Sequence, residues 1–384
     1  MIKIGVITST RAEYGLLYPL ITKLSEDDFF DCELIVTGTH LLDKFGHTID
    51  RIKEDKVKIS KCISIMSEEI NDPCEIIANA TLKFDELYKK EKYDSIVLLG
   101  DRFELFGFAV PALFNKIPII HLHGGEKTLG AIDEQIRHSV TKMSSLHFAS
   151  IKEYSDRIIQ MGENADRVFT VGALGIDNIM NLDLLDKLEL QKKLDVDLEK
   201  NVAVVTYHPV TLESGYGYTE QISNMFDAAI KNNLYMIVTM PNIDEGSCEI
   251  IDIINEYVKK YPTEIKFFKS LGQLNYLSLL KYAKVAIGNS SSGILETASF
   301  KLPTVNIGNR QKGRFAPENV INCSNDFSDI DKAIKLALSD EYNYKIKDMI
   351  NPYGDGHAAE RIVNVLKNIS WDRDKLVLKE FNDL

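Results

Sequence analysis

The sequence predicts an α/β protein made of two similar halves, each a parallel β-sheet covered by helices on both faces. Three observations carry that reading. Short β-branched runs alternate with longer segments of helical periodicity; nearly every run is apolar at its start and polar at its end; and the alternation lapses once, mid-chain, before restarting. At 384 residues the chain exceeds what one hydrophobic core usually organises, so two domains of about 150 to 200 residues are expected.

In the first half the strand-like runs are "IKIGVITST", "CELIVTGTH", "DSIVLLGDR", "IPIIHLHGG", "LHFAS" and "RVFTVGA". Between the first two, Leu16, Leu17, Leu20, Ile21 and Leu24 recur at helical spacing, which makes the pair a βαβ unit. Residues 181 to 200, "NLDLLDKLELQKKLDVDLEK", interrupt the pattern as a charged helix leading into a linker. It restarts with "NVAVVTYHP", "LYMIVTMPN", "EIKFFKSLG", "KVAIGNSSS", "PTVNIGNR" and "NVINCS". The expected division is a first domain over 1–185, a second over 186–357, and a helix with a charged tail over 358–384 that packs back on the first domain.

Composition narrows the function classes. Hydrophobic residues are 45% and charged residues 27% of the chain, which suits a folded soluble protein and not a disordered one. The formal net charge is -12 without a block of basic residues, which argues against a nucleic-acid or anionic-membrane partner. A few arginines converging on one cleft still suffice for an anionic ligand, because distant charge is screened over about 10 Å. The five cysteines are scattered, odd in number and without a CxxC, so neither a zinc module nor a disulfide framework is signalled and a reducing cytoplasm fits. No signal peptide and no apolar run of about 18 residues is present.

In open α/β sheets ligands bind at the carboxyl ends of strands, and the polar run ends are where chemistry is expected. "STRAEYG" puts Arg11 after the first strand, where a guanidinium can grip a phosphate. "LLGDRFE" supplies Asp101 and Arg102, and "HGGEKTLGAID" adds Glu126 and Asp133. Clustered carboxylates push each other's pKa values apart, giving a proton donor and an acceptor near neutral pH. Structural readings stand beside this one: Asp101 pairing with Arg102 or capping the next helix, and Asp133 capping "EQIRHSVTKM" with Arg137 one turn on as its partner. His121 and His123 alternate along a strand and with Asp101 and Glu126 could form a metal site; histidines at a strand end more often bond to backbone or a carboxylate. His138 and His147 read as structural.

The second half reads as a nucleotide-phosphate binder. In "GNSSSGILE" the hydroxyls of Ser290 and Ser291 and the first amides of a helix can hold a diphosphate, and Glu296 lies about one and a half turns further on. His208 in "YHP", Asn242 in "MPNIDEGS", and Arg310 and Arg314 in "NIGNRQKGR" stand at other strand ends. Neither GxxxxGK[ST] nor a GxGxxG after the first strand occurs, which disfavours an ATPase or a nicotinamide dehydrogenase.

Taken in order, "TRAEYG", "GDRFE", "HGGE" followed by "ID", "IRHSVTK", "YHPVT", "PNIDEGS", "IGNSSSG", "RQKGR" and "YGDG" resemble the hydrolysing UDP-N-acetylglucosamine 2-epimerases from about residue 3 to 367. The resemblance implies two Rossmann-like domains of the glycosyltransferase B type, an active site in the interdomain cleft, no metal or nicotinamide cofactor, and a cytoplasmic homodimer. It implies anti elimination of UDP to a 2-acetamidoglucal and hydration to N-acetylmannosamine for sialic acid synthesis. The non-hydrolysing relatives have an "EAGLR" type segment where this chain has "HGGEKTLG". By motif, Asp101, Glu126 and Asp133 share the base, acid and water-activating roles, with His208 contributing. Arg11, Arg102, His208, Ser290, Ser291 and Arg310 neutralise the diphosphate, Arg314 lies in the same arginine segment, Asn242 and Glu296 place the nucleotide, and the backbone near Leu271 meets the uracil. A similar branch hydrolyses UDP-N,N'-diacetylbacillosamine for legionaminic acid synthesis, and a glycosyltransferase of the same fold is the other reading.

Overall fold

The computed structural model describes residues 1–67, 69, 72–128, 132–209, 217–241 and 247–383. Among them the first sheet has seven parallel strands: β1 (Ile2–Thr8), β2 (Phe30–Thr37), β3 (Ile59–Ile63), β4 (Ser95–Leu99), β5 (Ile119–Leu122), β6 (Leu146–Ala149) and β7 (Val168–Thr170), in the order β3-β2-β1-β4-β5-β6-β7. The second has six: β8 (Val202–Thr206), β9 (Tyr235–Thr239), β10 (Ile265–Phe268), β11 (Val285–Gly288), β12 (Thr304–Ile307) and β13 (Val320–Cys323), in the order β10-β9-β8-β11-β12-β13. Every expected run forms a strand. β3 is additional: its "ISKCI" carries a lysine and is only half-buried at the sheet edge, which hides it from a search for apolar runs.

Two cores sandwich the first sheet, as period-two alternation requires. Ile4, Val6, Leu34 and Val36 face one core; Ile7, Ile35, Ile96 and Leu98 face the other. The first core takes Leu17, Leu20 and Leu24 from the helix Arg11–Glu26, with Ile362 and Leu366 from the helix Ala358–Asn368. The second takes Ile76 and Phe84 from the helix Pro73–Lys90 and Phe108 from the helix Leu105–Phe114. In the second sheet Val205, Met236, Ile287 and Val305 pack against Ile222 and Phe226 of the helix Tyr218–Lys231 and Ile330 and Ile334 of the helix Phe327–Leu338. The strand order reverses between β1 and β4 and again between β8 and β11, which opens a crevice beyond the carboxyl ends of those strands.

The units divide at different residues from those expected: Met1–Asn178 with Tyr353–Leu384 form one, and Ile179–Pro352 the other. Hydrogen bonds explain the shift from 185/186 and 357/358. Asn178 donates to the Gly15 carbonyl (2.7 Å), and Ala173 N donates to the Tyr353 carbonyl (2.6 Å). Asp177, 1% exposed, accepts from Ala358 N (2.9 Å) and Ala359 N (2.7 Å) at the start of the terminal helix. Burial raises its carboxyl pKa and those two amides pull it back. Further on, Arg167 holds the carbonyls of Lys375, Leu376 and Leu378, and Lys379 meets Glu163 at 2.6 Å. No helix among the described residues is long and apolar enough to cross a membrane.

Asp177→Ala strands two buried amides and should cost about 2 kcal/mol of stability. Chemical denaturation followed by circular dichroism measures it, and an unchanged midpoint would remove Asp177 from that role.

Candidate active site

In the first unit the organising side chain is Arg137, on the helix Asp133–Met143 and 3% exposed. Its guanidinium donates to the Asp101 carboxylate, the Glu126 carbonyl (3.0 Å) and the Thr128 hydroxyl (3.0 Å). One cation therefore ties the end of β4 to the turn that follows β5. Asp101 pairs with Arg137 and not with its neighbour Arg102. Arg102 turns instead to Glu104, which is fully buried, at 2.6 Å. Burial opposes the charge on Arg102, but Glu104, with Glu13 and Asp133 near enough to act, outweighs it and raises the guanidinium pKa.

Asp133 occupies the first turn of its helix without capping it: the capping position is Ile132, and the arginine expected as the partner of Asp133 is engaged with Asp101. Arg11 opens its helix, exposed, behind a capping box in which Glu13 accepts from Ser9 N (2.9 Å), Ser9 Oγ (2.7 Å) and Thr10 N (3.0 Å). Glu13 is buried and its carboxyl pKa is raised by that burial.

Glu126 is 7% exposed in the turn after β5, and its Oε1 lies 3.0 Å from His123 Nδ1. The turn needs glycine at 125: φ is 76°, and a Cβ there would stand 2.3 Å from the Tyr154 carbonyl oxygen. The two histidines of "HLHGG" do not act together. His121 bonds the Gly100 carbonyl (2.8 Å) and the Thr141 hydroxyl (3.2 Å), and burial lowers its pKa to about 3, so it is neutral. Among the described residues no group of three or more His, Cys, Asp or Glu is placed to hold a metal ion. His138 bonds Glu134 (3.1 Å) and His147 bonds the buried Glu163 (2.9 Å).

In the second unit Asn289, fully buried at the end of β11, accepts from His208 N (2.7 Å) and donates to the His208 carbonyl (2.9 Å), clasping the end of β8. Its own carbonyl accepts from Arg310 (3.1 Å) and Gln311 (2.8 Å). His208, Asn289 and Arg310 are thereby drawn to one crevice. Burial, with Arg310 adding to it, lowers the His208 pKa to about 4, so its imidazole is uncharged at neutral pH. The strand ends approach so closely that a Cβ on Gly288 (φ 136°) would lie 2.0 Å from the Thr206 carbonyl oxygen.

The helix expected behind the serines is a single turn, Ser292–Leu295, followed by the 3-10 turn Thr297–Phe300, so Glu296 lies at its end and not within it. Ser290 Oγ accepts from Ser292 N (3.3 Å), and Ser291 sits at the capping position without a side-chain cap. Glu296 accepts from the Ser292 hydroxyl, which also meets the Tyr276 hydroxyl at 2.7 Å, and burial raises the Glu296 carboxyl pKa. Leu271 precedes the helix Gly272–Tyr282, and Arg314 is half-buried in the turn after Gln311. Asn242 lies outside the described residues.

The sequence reading passes over several residues the geometry singles out: Glu13, Glu104, His123 as a partner for Glu126, Tyr276 and Asn289. Its structural alternative for Asp133 pairs that residue with Arg137, which the structure places on Asp101. The available signal for Arg137 is its position between Ile136 and Val140 on the buried face of its helix. Chemically, the first crevice groups carboxylates with arginines and can move protons, whereas the second offers hydroxyls, an imidazole and arginines to an anion.

Comparisons with known proteins identify the family. The UDP-N-acetylglucosamine 2-epimerase family matches residues 22–367. The GDP/UDP-N,N'-diacetylbacillosamine 2-epimerase (hydrolyzing) of Campylobacter jejuni is 39% identical, covering 100% of this chain and 99% of that protein. The UDP-N,N'-diacetylbacillosamine 2-epimerase (hydrolyzing) of Legionella pneumophila is 35% identical, covering 96% of each. In fold, the chain is similar to the UDP-GlcNAc 2-epimerase of Neisseria meningitidis crystallised with UDP-GlcNAc, with TM-score 0.82 and 19% identity over 96% of this chain and 100% of that one. Two Rossmann-like sheets of the glycosyltransferase B kind, and a family match spanning both, lead to one conclusion: the chain belongs to the UDP-N-acetylglucosamine 2-epimerase family and is an enzyme of its hydrolysing, UDP-sugar type.

Proposed function

We propose that this enzyme converts UDP-N,N'-diacetylbacillosamine and water to UDP and the free 2-epimerised diacetamido sugar, supplying legionaminic acid synthesis in a cytoplasmic, homodimeric form. The reading of UDP-N-acetylglucosamine as substrate gives way to this one because two full-length relatives at 39% and 35% identity carry the diacetylbacillosamine name. The observation that supports the reaction is the gathering of Asp101 and Glu126 on Arg137, with Asp133 at the start of the same helix.

No carbonyl flanks C2 of the sugar to acidify its proton. Elimination therefore requires the C1–O bond to UDP to break as a carboxylate removes H2, leaving a C1=C2 double bond. Water then adds its hydroxyl to C1 while a proton returns to C2 from the opposite face, inverting that centre. Asp101, Glu126 and Asp133 share these proton transfers. Arg11, Arg102, His208, Ser290, Ser291, Arg310 and Arg314 serve the diphosphate, whose departing charge an uncharged His208 can meet with a hydrogen bond. Glu296 and Asn242 hold the nucleotide, with the uracil near Leu271.

In deuterated water, proton NMR of wild-type enzyme with UDP-N,N'-diacetylbacillosamine should show UDP and a manno-configured sugar carrying deuterium at C2. Turnover of UDP-N-acetylglucosamine or the GDP-linked sugar in preference would reassign the substrate, and release of neither UDP nor GDP from any of the three would remove the reaction. Asp101→Asn, Glu126→Gln and Asp133→Asn should each lower kcat at least about 100-fold, with UDP affinity by calorimetry within about threefold of wild type. Arg310→Ala and Ser290→Ala should instead weaken UDP binding, by about tenfold for the arginine; unchanged affinity would take them out of the phosphate site.

A further inference from the structure

We infer that His123 is a positioning residue for Glu126, holding its carboxylate in the orientation that proton transfer to and from the sugar requires. The inference rests on the proposed reaction and extends it to a residue outside the acidic set.

The backbone at His123 is left-handed, with φ at 60°, a conformation that disfavours a side chain and suits glycine. Glycine fills the next two positions, 124 and 125, yet a histidine stands here. Its amide is anchored by the Phe148 carbonyl (3.0 Å), so the turn does not need the ring for its own shape.

The ring has one visible engagement. Nδ1 lies 3.0 Å from Glu126 Oε1, and because a carboxylate only accepts, the proton of that bond belongs to Nδ1. Nε2 is buried and has no hydrogen-bond partner among the described residues. Of the buried histidines of the same unit, His147 likewise pairs one nitrogen with a carboxylate, that of Glu163, and has no partner for Nδ1 among the described residues, whereas the other two use both nitrogens. His40 bonds Thr8 (3.1 Å) and Thr48 (2.8 Å), and His121 bonds Gly100 and Thr141, so each uses both nitrogens. His123 shares the pattern of His147, but its one engagement is on Glu126, a carboxylate that the proposed reaction uses.

The division of labour around the turn fits. Arg137 holds the Glu126 carbonyl and Arg157 holds the Gly125 carbonyl, so the two arginines fix the main chain while His123 fixes the side chain. A glutamate has three rotatable bonds, and a donor on one oxygen removes most of that freedom before substrate arrives.

The test compares His123→Gly with His123→Asn in the full-length enzyme, using UDP release from UDP-N,N'-diacetylbacillosamine, UDP affinity and thermal melting. Glycine relieves the positive φ, so the variant should fold and melt no lower than wild type by more than a few degrees. Its kcat should fall about 30-fold, with KM and UDP affinity within about threefold. Asparagine tolerates the same φ and offers an amide N–H close to the place of Nδ1, so His123→Asn should recover most of the lost kcat. In a Glu126→Gln background, His123→Gly should cost less than about threefold more, because the group it positions is already gone. Wild-type kcat in His123→Gly, no rescue by asparagine, or full additivity with Glu126→Gln would each overturn the inference. A wild-type enzyme that releases no UDP would sink the proposed reaction instead, so the two failures are distinguishable.

Discussion

The first crevice depends on a single guanidinium. Arg137 is almost wholly buried and reaches a carboxylate from one strand end, a carbonyl from the next turn and a hydroxyl beyond it. A planar fork of donors makes those contacts from one rigid group, which a lysine cannot do. Its positive charge lies against the Asp101 carboxylate, and the same group holds the main chain at Glu126. The geometry of Asp101, the path of the turn through Glu126 and the spacing to Asp133 follow from where that arginine stands.

The second crevice solves the equivalent problem without charge. Asn289 joins the ends of β8 and β11 through a two-way amide clasp on His208, then offers its own carbonyl to Arg310 and Gln311. The clasp on His208 is made by a neutral amide, with no carboxylate in it. The same topological reversal thus carries a charged lock in the first unit and an uncharged clasp in the second.

Sheet number, strand placement and the candidate residues were legible because parallel strands buried on both faces read as apolar runs whose polar ends point at the crevice. The edge strand β3 was not, since a lysine and half-burial erase that contrast. Pairings were less legible than positions. Asp101 beside Arg102, and Asp133 one turn before Arg137, look like partners along the chain; in space Arg102 turns to Glu104 and Arg137 to Asp101. Sequence proximity says which charges are near, while burial decides which pair forms, because a buried cation takes the acceptor that its fixed backbone presents. The clasp by Asn289 and the ring of His123 have no periodic or compositional signature at all.

The closure of the first unit by Asp177 and the terminal helix has a consequence for how the protein is made. Leu17 and Leu20 leave the ribosome well before their packing partners Ile362 and Leu366. The second unit, an uninterrupted stretch from Ile179 to Pro352, can complete its core during synthesis while the half that bears the carboxylates waits for the end of the chain. The unit whose first helix emerges before the other unit is therefore completed after it, and the apolar face of that helix lacks its partners in the interval.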